Sequence, residues 1–397
     1  MTLPSDFLSA LRAPSIDELI EEQRVTSSKD PVAPTTSRGA YLSLENEIPP
    51  AELFCYLGAR FGPPNGIQNI LRANHSDNIV HWDWSLKYQS TSIYFWGTNF
   101  RTDLIVGSGV EFGEIERKQL VELIKADLKS HGSKMKEVRG LLQDWVEFVN
   151  PFWRLTRAIR NLNNELLSID LKEPSRNEYY SPFDLSAREA EWKALGERIN
   201  QAFGLCFGIR SMLPVRAESF VNLLIFVLAR QDIRSDTRLM ENAYRQQIDI
   251  RIKSLHITCQ GFHTAVDYSN DICRKFHTLI NERNDLLHGN VLPDKMSFNE
   301  VYFLDKVPVF KEYKSVWERT LAVDMQAIGL RKVENELQVV NHFIEYVISC
   351  LEPELQGQMR MIMERRDLAK NKKTGRLGIL FPEHLVDSRP VFTKTDE

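Results

Sequence analysis

The stretch Ile280–Asn290, INERNDLLHGN, decides how the C-terminal half of this chain is interpreted. Turning 100° per residue along a predicted helix 262–288 places Arg283 at the centre of an apolar arc. That arc is formed by Phe276, Leu279, Ile280, Leu286 and Leu287. A guanidinium stays charged at every useful pH, and burying it unpaired costs several kcal/mol. The sequence therefore predicts that Arg283 lies in a cleft, an interface or a salt bridge.

His288 stands at the predicted end of the same helix. It is rotated by about 140° from Arg283 and displaced by roughly 7.5 Å along the axis, so the two do not share a face of one helix. Gly289 favours the left-handed conformation that ends helices, and Pro293 follows soon after. We expect the His288 ring to swing at this helix end. A second copy of the helix can also bring two arginines and two histidines into one cleft.

The same Arg-x4-His spacing occurs in RIKSLH, Arg251–His256, so spacing alone is weak evidence of a site. Arg251 lies at the edge of its helix's apolar face, an apolar Ile252 follows it, and the predicted helix continues past His256. We interpret this second copy as a coincidence.

Composition indicates a globular protein. The chain has 397 residues, 26% of them charged and 43% hydrophobic, with a formal net charge of −4. This charge argues against a protein that coats nucleic acid, but not against one that meets RNA in a local cleft. The five cysteines are scattered, which suits a reducing compartment. The N-terminus lacks the pattern of a signal peptide, and the apolar run Phe220–Ala229 is about half the length of a membrane span. We expect a cytoplasmic protein that does not enter a membrane.

The N-terminal half predicts a small α+β domain. Residues 1–39 are interpreted as a helix and a flexible linker rich in Ser, Thr and Pro. Residues 40–170 combine helical segments with the strand-like runs IVHWDWSLKY and TSIYFWGTNFRTDLIVG, and are expected to form an antiparallel sheet with trailing helices.

The C-terminal half predicts an all-α bundle over residues 185–355, followed by a basic tail over residues 356–397. Everything from about Ser133 onwards is interpreted as helical with polar breaks. Between the bundle helices, a loop and a short VYFLDKVPVF stretch are expected. Helical periodicity is strongest at 186–208, 215–231, 236–260, 262–288 and 321–351. The fold class predicted for the whole chain is α+β.

RNDLLHG and the helices around it resemble the HEPN superfamily, a group of helical-bundle domains found in prokaryotic toxins and antiviral systems. Its ribonuclease members carry R-x(4–6)-H near the end of a core helix, commonly with a polar residue after the arginine. Arg283, Asn284 and His288 match this motif, and the helices ESFVNLLIFVLARQDI and ENAYRQQIDIRIKSLHITCQGF also look similar. The resemblance covers about residues 185–350.

The resemblance implies a metal-independent endoribonuclease without a cofactor, acting as a toxin or antiviral-defence effector. The catalytic residues would be Arg283 and His288, with Asn284 in a supporting role, in a composite site at a homodimer interface. A histidine can move protons near neutral pH while an arginine stabilises the phosphate oxygens. Glu218 is either the partner that orients Arg283 or an ordinary acidic residue near a helix N-terminus.

Two other hypotheses belong to different classes. The bundle can be a non-catalytic module for dimerisation or ligand binding, with Arg283 as a structural interface charge. Alternatively the N-terminal domain carries the specific activity and the bundle is an oligomerisation platform. A regulatory ligand or an inhibitor protein is expected at the N-terminal domain under the leading hypothesis.

Two further clusters have a structural interpretation that we favour. His75, Asp77, His81 and Asp83 have the side chains of a zinc site, but a half-exposed strand with tryptophans on its core face explains them as well. The basic cluster is expected to be solvated rather than to bind phosphates. It comprises Arg365, Arg366, Lys370, Lys372, Lys373 and Arg376.

Overall fold

The computed structural model divides the chain into two compact units, Met1–Val146 with Lys370–Glu397, and Glu147–Ala369. The described residues are 3–4, 6–15, 17–21, 39–44, 47–71, 78–98, 101–107, 110, 112–169, 171, 189–290, 297, 300–311 and 329–380. The predicted α+β class is confirmed, with an antiparallel sheet near the N-terminus and a largely helical region after it. The first division falls at Val146 rather than near residue 170, so the helix that follows it belongs to the second unit.

The first unit contains a four-stranded sheet in which every neighbouring pair is antiparallel. Its order is β1-β4-β3-β2, with β1 at Ala40–Ser43, β2 at Trp82–Tyr88, β3 at Thr91–Gly97 and β4 at Thr102–Val106. These strands lie where alternation and aromatic content predicted them. Trp84, Leu86 and Phe95 point to one face and are 1% exposed or less.

Helices accompany this sheet in the described part of the first unit. Among them are α1 at Phe7–Ala10, α2 at Pro50–Phe61, α3 at Ile67–Leu71, α4 at Glu114–Asp127 and α5 at Gly132–Leu141. Tyr56 of α2 and Leu120 of α4 pack into the same core as the strand residues. Phe7 and Leu8 of α1 are also in this core, so the first residues belong to the α+β unit instead of forming a separate extension.

The second unit is built on long helices. α6 spans Pro151–Ser168, α7 Glu189–Leu228, α12 Asp271–His288, α13 Val333–Ser349 and α14 Pro353–Glu364. Between α7 and α12 lie four short helices, α8 at Gln231–Ser235, α9 at Thr237–Arg245, α10 at Ile248–Lys253 and α11 at Leu255–Thr258. Phe276 of α12 stacks on Phe343 of α13 with 4.0 Å between ring centroids. Phe220 of α7 is fully buried, and its ring centroid lies 6.0 Å from that of Phe152 on α6.

The helix α7 is continuous over 40 residues although Pro214 lies inside it. The sequence predicted two helices here, 186–208 and 215–231, because proline removes a backbone hydrogen bond. Buried residues on both sides of the proline, Ile209, Leu213 and Ala217, keep the helix intact by packing. By length and composition, Lys193–Leu228 is long and apolar enough to span a membrane. Half of its most apolar part is buried inside the protein, however, and core helices of soluble proteins can be equally long and apolar.

The described part of the predicted bundle, 185–355, is largely helical apart from one hairpin, but strands also interrupt the region from Ser133 onwards that was predicted to be helical. β5 spans Trp145–Val149, and the residues interpreted as a short stretch form a hairpin of β6, Val301–Leu304, and β7, Val307–Phe310. The expected basic tail contains α14, β8 at Asp367–Asn371 and β9 at Leu377–Gly378. β5, β8 and β9 form a three-stranded sheet in that order.

Candidate functional site

The helix α12 that carries the site has well-defined ends. It begins at Asp271 because the side chain of Asn270 accepts a hydrogen bond from the Ile272 amide at 3.0 Å. It ends at His288 because Gly289 adopts the left-handed conformation, with φ 62° and ψ 34°. The predicted C-terminal end is confirmed, whereas the predicted start at residue 262 was nine residues too early.

The apolar arc around Arg283 is buried on one side only. Phe276, Leu279 and Ile280, which precede the arginine, are 7% exposed or less, whereas Leu287 after it is 47% exposed. The Arg283 side chain itself is 21% exposed. Arg283 therefore lies where the helix emerges from the core, with an uncovered leucine one turn further on.

Glu218 of α7 is the ion-pair partner of Arg283. Its Oε1 lies 3.9 Å from Nη2 of Arg283, at the long end of an ion pair. Nη1 of Arg283 donates to Oδ1 of the adjacent Asn284 at 2.9 Å. Of the two interpretations of Glu218, this geometry fits the one in which it orients the arginine.

Arg251 of α10 reaches the same carboxylate. Its Nη2 lies 3.4 Å from Oε2 of Glu218, and its Nη1 donates to Oδ1 of Asn222 at 2.6 Å. Arg251, which the sequence placed at the edge of its helix's apolar face, is buried, with 8% of its surface exposed. The arginine of RIKSLH is thus part of the cluster around Glu218, and its interpretation as a coincidence is revised. In the sequence, the i, i+4 spacing of Glu218 and Asn222 places both side chains on one face of a helix, and this spacing could have indicated that they share a polar partner.

The cluster of Glu218, Arg251 and Arg283 holds two positive charges and one negative charge. Within the described residues, Glu218 is the carboxylate at ion-pair distance from either arginine. The Nε atoms of both arginines are buried without a hydrogen-bond partner. A buried guanidinium that is incompletely paired is costly, so the cluster favours an added anion.

His288 and His256 are both exposed, each at or near the end of a helix. In this chain no hydrogen bond joins the described residues Arg283 and His288. Because α12 is helical through His288, the two side chains stand on different faces, as the helical step predicted.

A second ion-pair network holds α12 against its neighbours. Nε of Arg210 on α7 donates to both carboxylate oxygens of Glu336 on α13 at 2.9 Å. Nη2 of Arg210 lies 3.3 Å from Glu282 of α12. Glu282 is adjacent to Arg283, so this network fixes the turn of α12 that presents the candidate site.

The candidate metal ligands are placed differently from one another. Asp83 is 1% exposed, and its carboxylate accepts the amides of Gln68 at 3.1 Å and Asn69 at 2.9 Å, which stabilises the start of α3. The strand is therefore not half-exposed at this point. His75 and Asp77 lie outside the described residues. Among those described, no group of three His, Cys, Asp or Glu side chains is arranged to hold a metal ion.

The basic cluster belongs to the structured C-terminal segment. Arg366 pairs with Asp367 at 2.6 Å, and Lys372 pairs with Asp144 at 2.9 Å. The carbonyl of Arg365 accepts a hydrogen bond from the Asn150 side chain at 3.0 Å. The segment is thus ordered, while its basic side chains other than that of Arg365 are exposed, as the sequence predicted.

Comparisons of the chain with protein-family models, with curated proteins and with solved structures found no match in any of the three.

Proposed function

We propose that this chain is a metal-independent endoribonuclease of the HEPN type, with Arg283 and His288 as its catalytic residues. The observation that carries the proposal is the surplus positive charge of the cluster formed by Glu218, Arg251 and Arg283. Arg283 is its most accessible arginine, and its 3.9 Å contact with Glu218 is long enough to be exchanged for a phosphate.

The chemistry uses a nucleophile that the RNA itself supplies. The 2′-oxygen forms a bond to the adjacent phosphorus as the bond from phosphorus to the 5′-oxygen breaks. His288 accepts the proton from the 2′-hydroxyl, and the imidazolium so formed donates a proton to the departing 5′-oxygen. Arg283 stabilises the charge that develops on the phosphate oxygens. The products are a 2′,3′-cyclic phosphate and a free 5′-hydroxyl.

A two-fold dimer would complete the site. Arg283 and His288 of one chain stand about 140° apart around α12, so a single helix does not direct both at one phosphate. The exposed Leu287 lies between them in sequence and offers apolar surface to a partner helix. A second copy of α12 would place the histidine of one protomer beside the arginine of the other.

The alternative proposal is a non-catalytic dimerisation or ligand-binding module. It is supported by the contacts of Arg283 with Glu218 and Asn284, which satisfy part of the guanidinium without any substrate. Under this proposal the chain does not cleave RNA, and the surplus charge holds a stable anionic ligand.

Cleavage of a mixed-sequence RNA in EDTA tests the leading proposal. Arg283→Ala and His288→Ala are each expected to lower the rate by about 100-fold or more, because each removes charge stabilisation or proton transfer. The matched controls are His256→Ala, the exposed histidine of the repeated spacing, and Arg274→Ala, an exposed arginine of α12. Both controls should stay within about twofold of the wild type, because surface changes away from a site are close to neutral.

Three outcomes would overturn the proposal. They are a wild type that cleaves no RNA, catalytic variants as active as the controls, and product ends other than cyclic phosphate and 5′-hydroxyl. Loss of wild-type cleavage in EDTA would contradict the metal-independent mechanism while leaving an endoribonuclease.

A further inference from the structure

Arg216 of α7 is a half-buried arginine whose partners among the described residues are all neutral. Its Nε donates to the hydroxyl of Thr156 on α6 at 3.0 Å, and its Nη1 donates to Oδ1 of Asn341 on α13 at 2.8 Å. Its guanidinium carbon lies 5.4 Å from the ring centroid of Phe152. Three helices therefore hold this guanidinium in one orientation.

No carboxylate compensates this charge within the described residues. By contrast, Arg210 of α7 has Glu336 as an ion-pair partner, and Arg251 has Glu218. The charged group that acts on Arg216 is instead Arg160, one helical turn after Thr156 on the same face of α6. Burial and the neighbouring Arg160 lower the pKa of Arg216 to about 10. The surroundings thus disfavour the charged form, which arginine nevertheless keeps at neutral pH.

The polar groups around Arg216 are arranged as donors. The oxygens of Thr156 and Asn341 are used as acceptors by Arg216 itself. The Thr156 hydroxyl proton and the Asn341 amide group have no acceptor in the part of the chain that is described. Arg216 as a whole is only partly buried. Hydrogen-bond donors beside a surplus positive charge are what a tetrahedral oxyanion requires.

We propose that Arg216, Arg160, Thr156 and Asn341 form a binding site for a phosphate group between α6, α7 and α13. Arg216 contributes the fixed guanidinium and Arg160 a second charge from the exposed side. The ligand is either a free phosphate or a phosphate of an RNA backbone, which present the same oxygens to these donors.

This site is separate from the one proposed for catalysis. Arg216 and Glu218 lie two residues apart on α7, which directs them to faces about 160° from each other. Arg216 therefore faces α6 and α13, while Glu218 faces the arginines of α10 and α12. The proposal does not depend on whether the chain cleaves RNA.

Binding measurements on the full chain test the phosphate site. Inorganic phosphate is titrated by calorimetry, and a short 2′-O-methyl RNA, which lacks the attacking hydroxyl, is titrated by fluorescence anisotropy. Arg216→Gln is expected to raise the dissociation constant of the ligand at least tenfold, and Arg160→Gln about tenfold. Each variant removes a charge-assisted hydrogen-bond donor. Arg157→Gln is the matched control on α6, since Arg157 stacks on Trp153 with 5.1 Å between its guanidinium carbon and the ring centroid.

Comparison of inorganic phosphate with RNA shows whether the site binds free phosphate or a phosphate of the RNA backbone. Phosphate binding that depends on Arg216 and Arg160 assigns the site to free phosphate. RNA binding that depends on both, with a salt slope reduced by about one per lost arginine, assigns it to the backbone. Because Arg160 is exposed, its variant tests the site even if Arg216→Gln fails to fold. Equal binding of both ligands by the wild type, Arg160→Gln and Arg157→Gln would overturn the proposal, as would no binding of either ligand.

The variant Arg283→Ala separates this proposal from the nuclease. It is expected to bind phosphate at Arg216 as the wild type does, whether or not the wild type cleaves RNA. Loss of phosphate binding in Arg283→Ala would place the anion at the cluster around Glu218 and contradict the separate site.

Discussion

At the scale of single residues, Glu218 links the two arginines that the sequence treated differently. Its two oxygens face Arg251 and Arg283 separately, so each guanidinium has only part of a carboxylate. Arg251 is buried and additionally held by Asn222, whereas Arg283 is more exposed and held by its own neighbour. We infer that Arg251 fixes Glu218, and that Glu218 in turn positions Arg283.

Glu218→Gln is expected to destabilise the protein by about 2 kcal/mol, because it leaves two largely buried arginines without a carboxylate. The free energy of unfolding in urea measures this change. Adding Arg251→Met to Glu218→Gln should recover part of the loss, since it removes one of the stranded charges. A single Glu218→Gln variant as stable as the wild type would show that this carboxylate does not anchor the cluster.

At the scale of elements, Asn150 joins the start of α6 to the end of α14. Its Oδ1 accepts the Phe152 amide at 3.1 Å, and its Nδ2 donates to the carbonyls of Ile362 and Arg365 at 3.0 Å each. The residue is fully buried. A side chain with both an acceptor and two donors is therefore needed at this position.

Asn150→Ala is expected to cost about 3 kcal/mol, from one lost helix cap and two buried carbonyls without donors. Asn150→Asp keeps the acceptor but has no N–H groups, so it should be destabilised although the cap remains. Thermal and urea denaturation measure both variants, with Asn161→Ala on exposed α6 surface as the control. If Asn150→Asp matched the wild type at neutral pH, the contacts with α14 would contribute nothing to stability.

Helices and strands were predicted best where the hydrophobic pattern of a segment and the residues at its end indicated the same structure. The strands of the first unit alternate, and α12 ends at a glycine, so both were identified correctly. The helix α7 was split because Pro214 is a strong local signal for a break, while the packing that preserves the helix comes from distant parts of the chain. The short strands β5 and β8 depend on each other for their hydrogen bonds, so neither is recognisable alone.

At the scale of the whole molecule, the proposed site requires two chains. The exposed Leu287 and the separation of Arg283 from His288 around α12 are features of one chain that a two-fold partner would use. The proposed role as a toxin or defence effector predicts that induced expression of the wild type in a bacterial host arrests growth, while expression of His288→Ala does not.

Mixing the two inactive variants tests the composite site. Arg283→Ala and His288→Ala are each expected to be inactive, but their mixture should regain about a quarter of wild-type cleavage after subunit exchange. Half of the mixed dimers contain one chain of each kind, and each of these has one intact site of two. A mixture as inactive as its components would contradict a site built from one arginine and the partner's histidine. Light scattering on the same samples measures the dimer directly.

The sequence by itself determined the α+β class, the sheet of the first unit, the C-terminal end of α12 and the apolar arc that marks Arg283 as unusual. These features depend on neighbours along the chain, at spacings of two residues in strands and about four in helices. Only the tertiary structure decided that Arg251 and Arg283 share Glu218, that Arg216 has neutral partners, and that the C-terminal segment packs against Asn150. Each of these depends on contacts between residues far apart in sequence, where charge and hydrogen bonding are set by the partner and not by the local pattern.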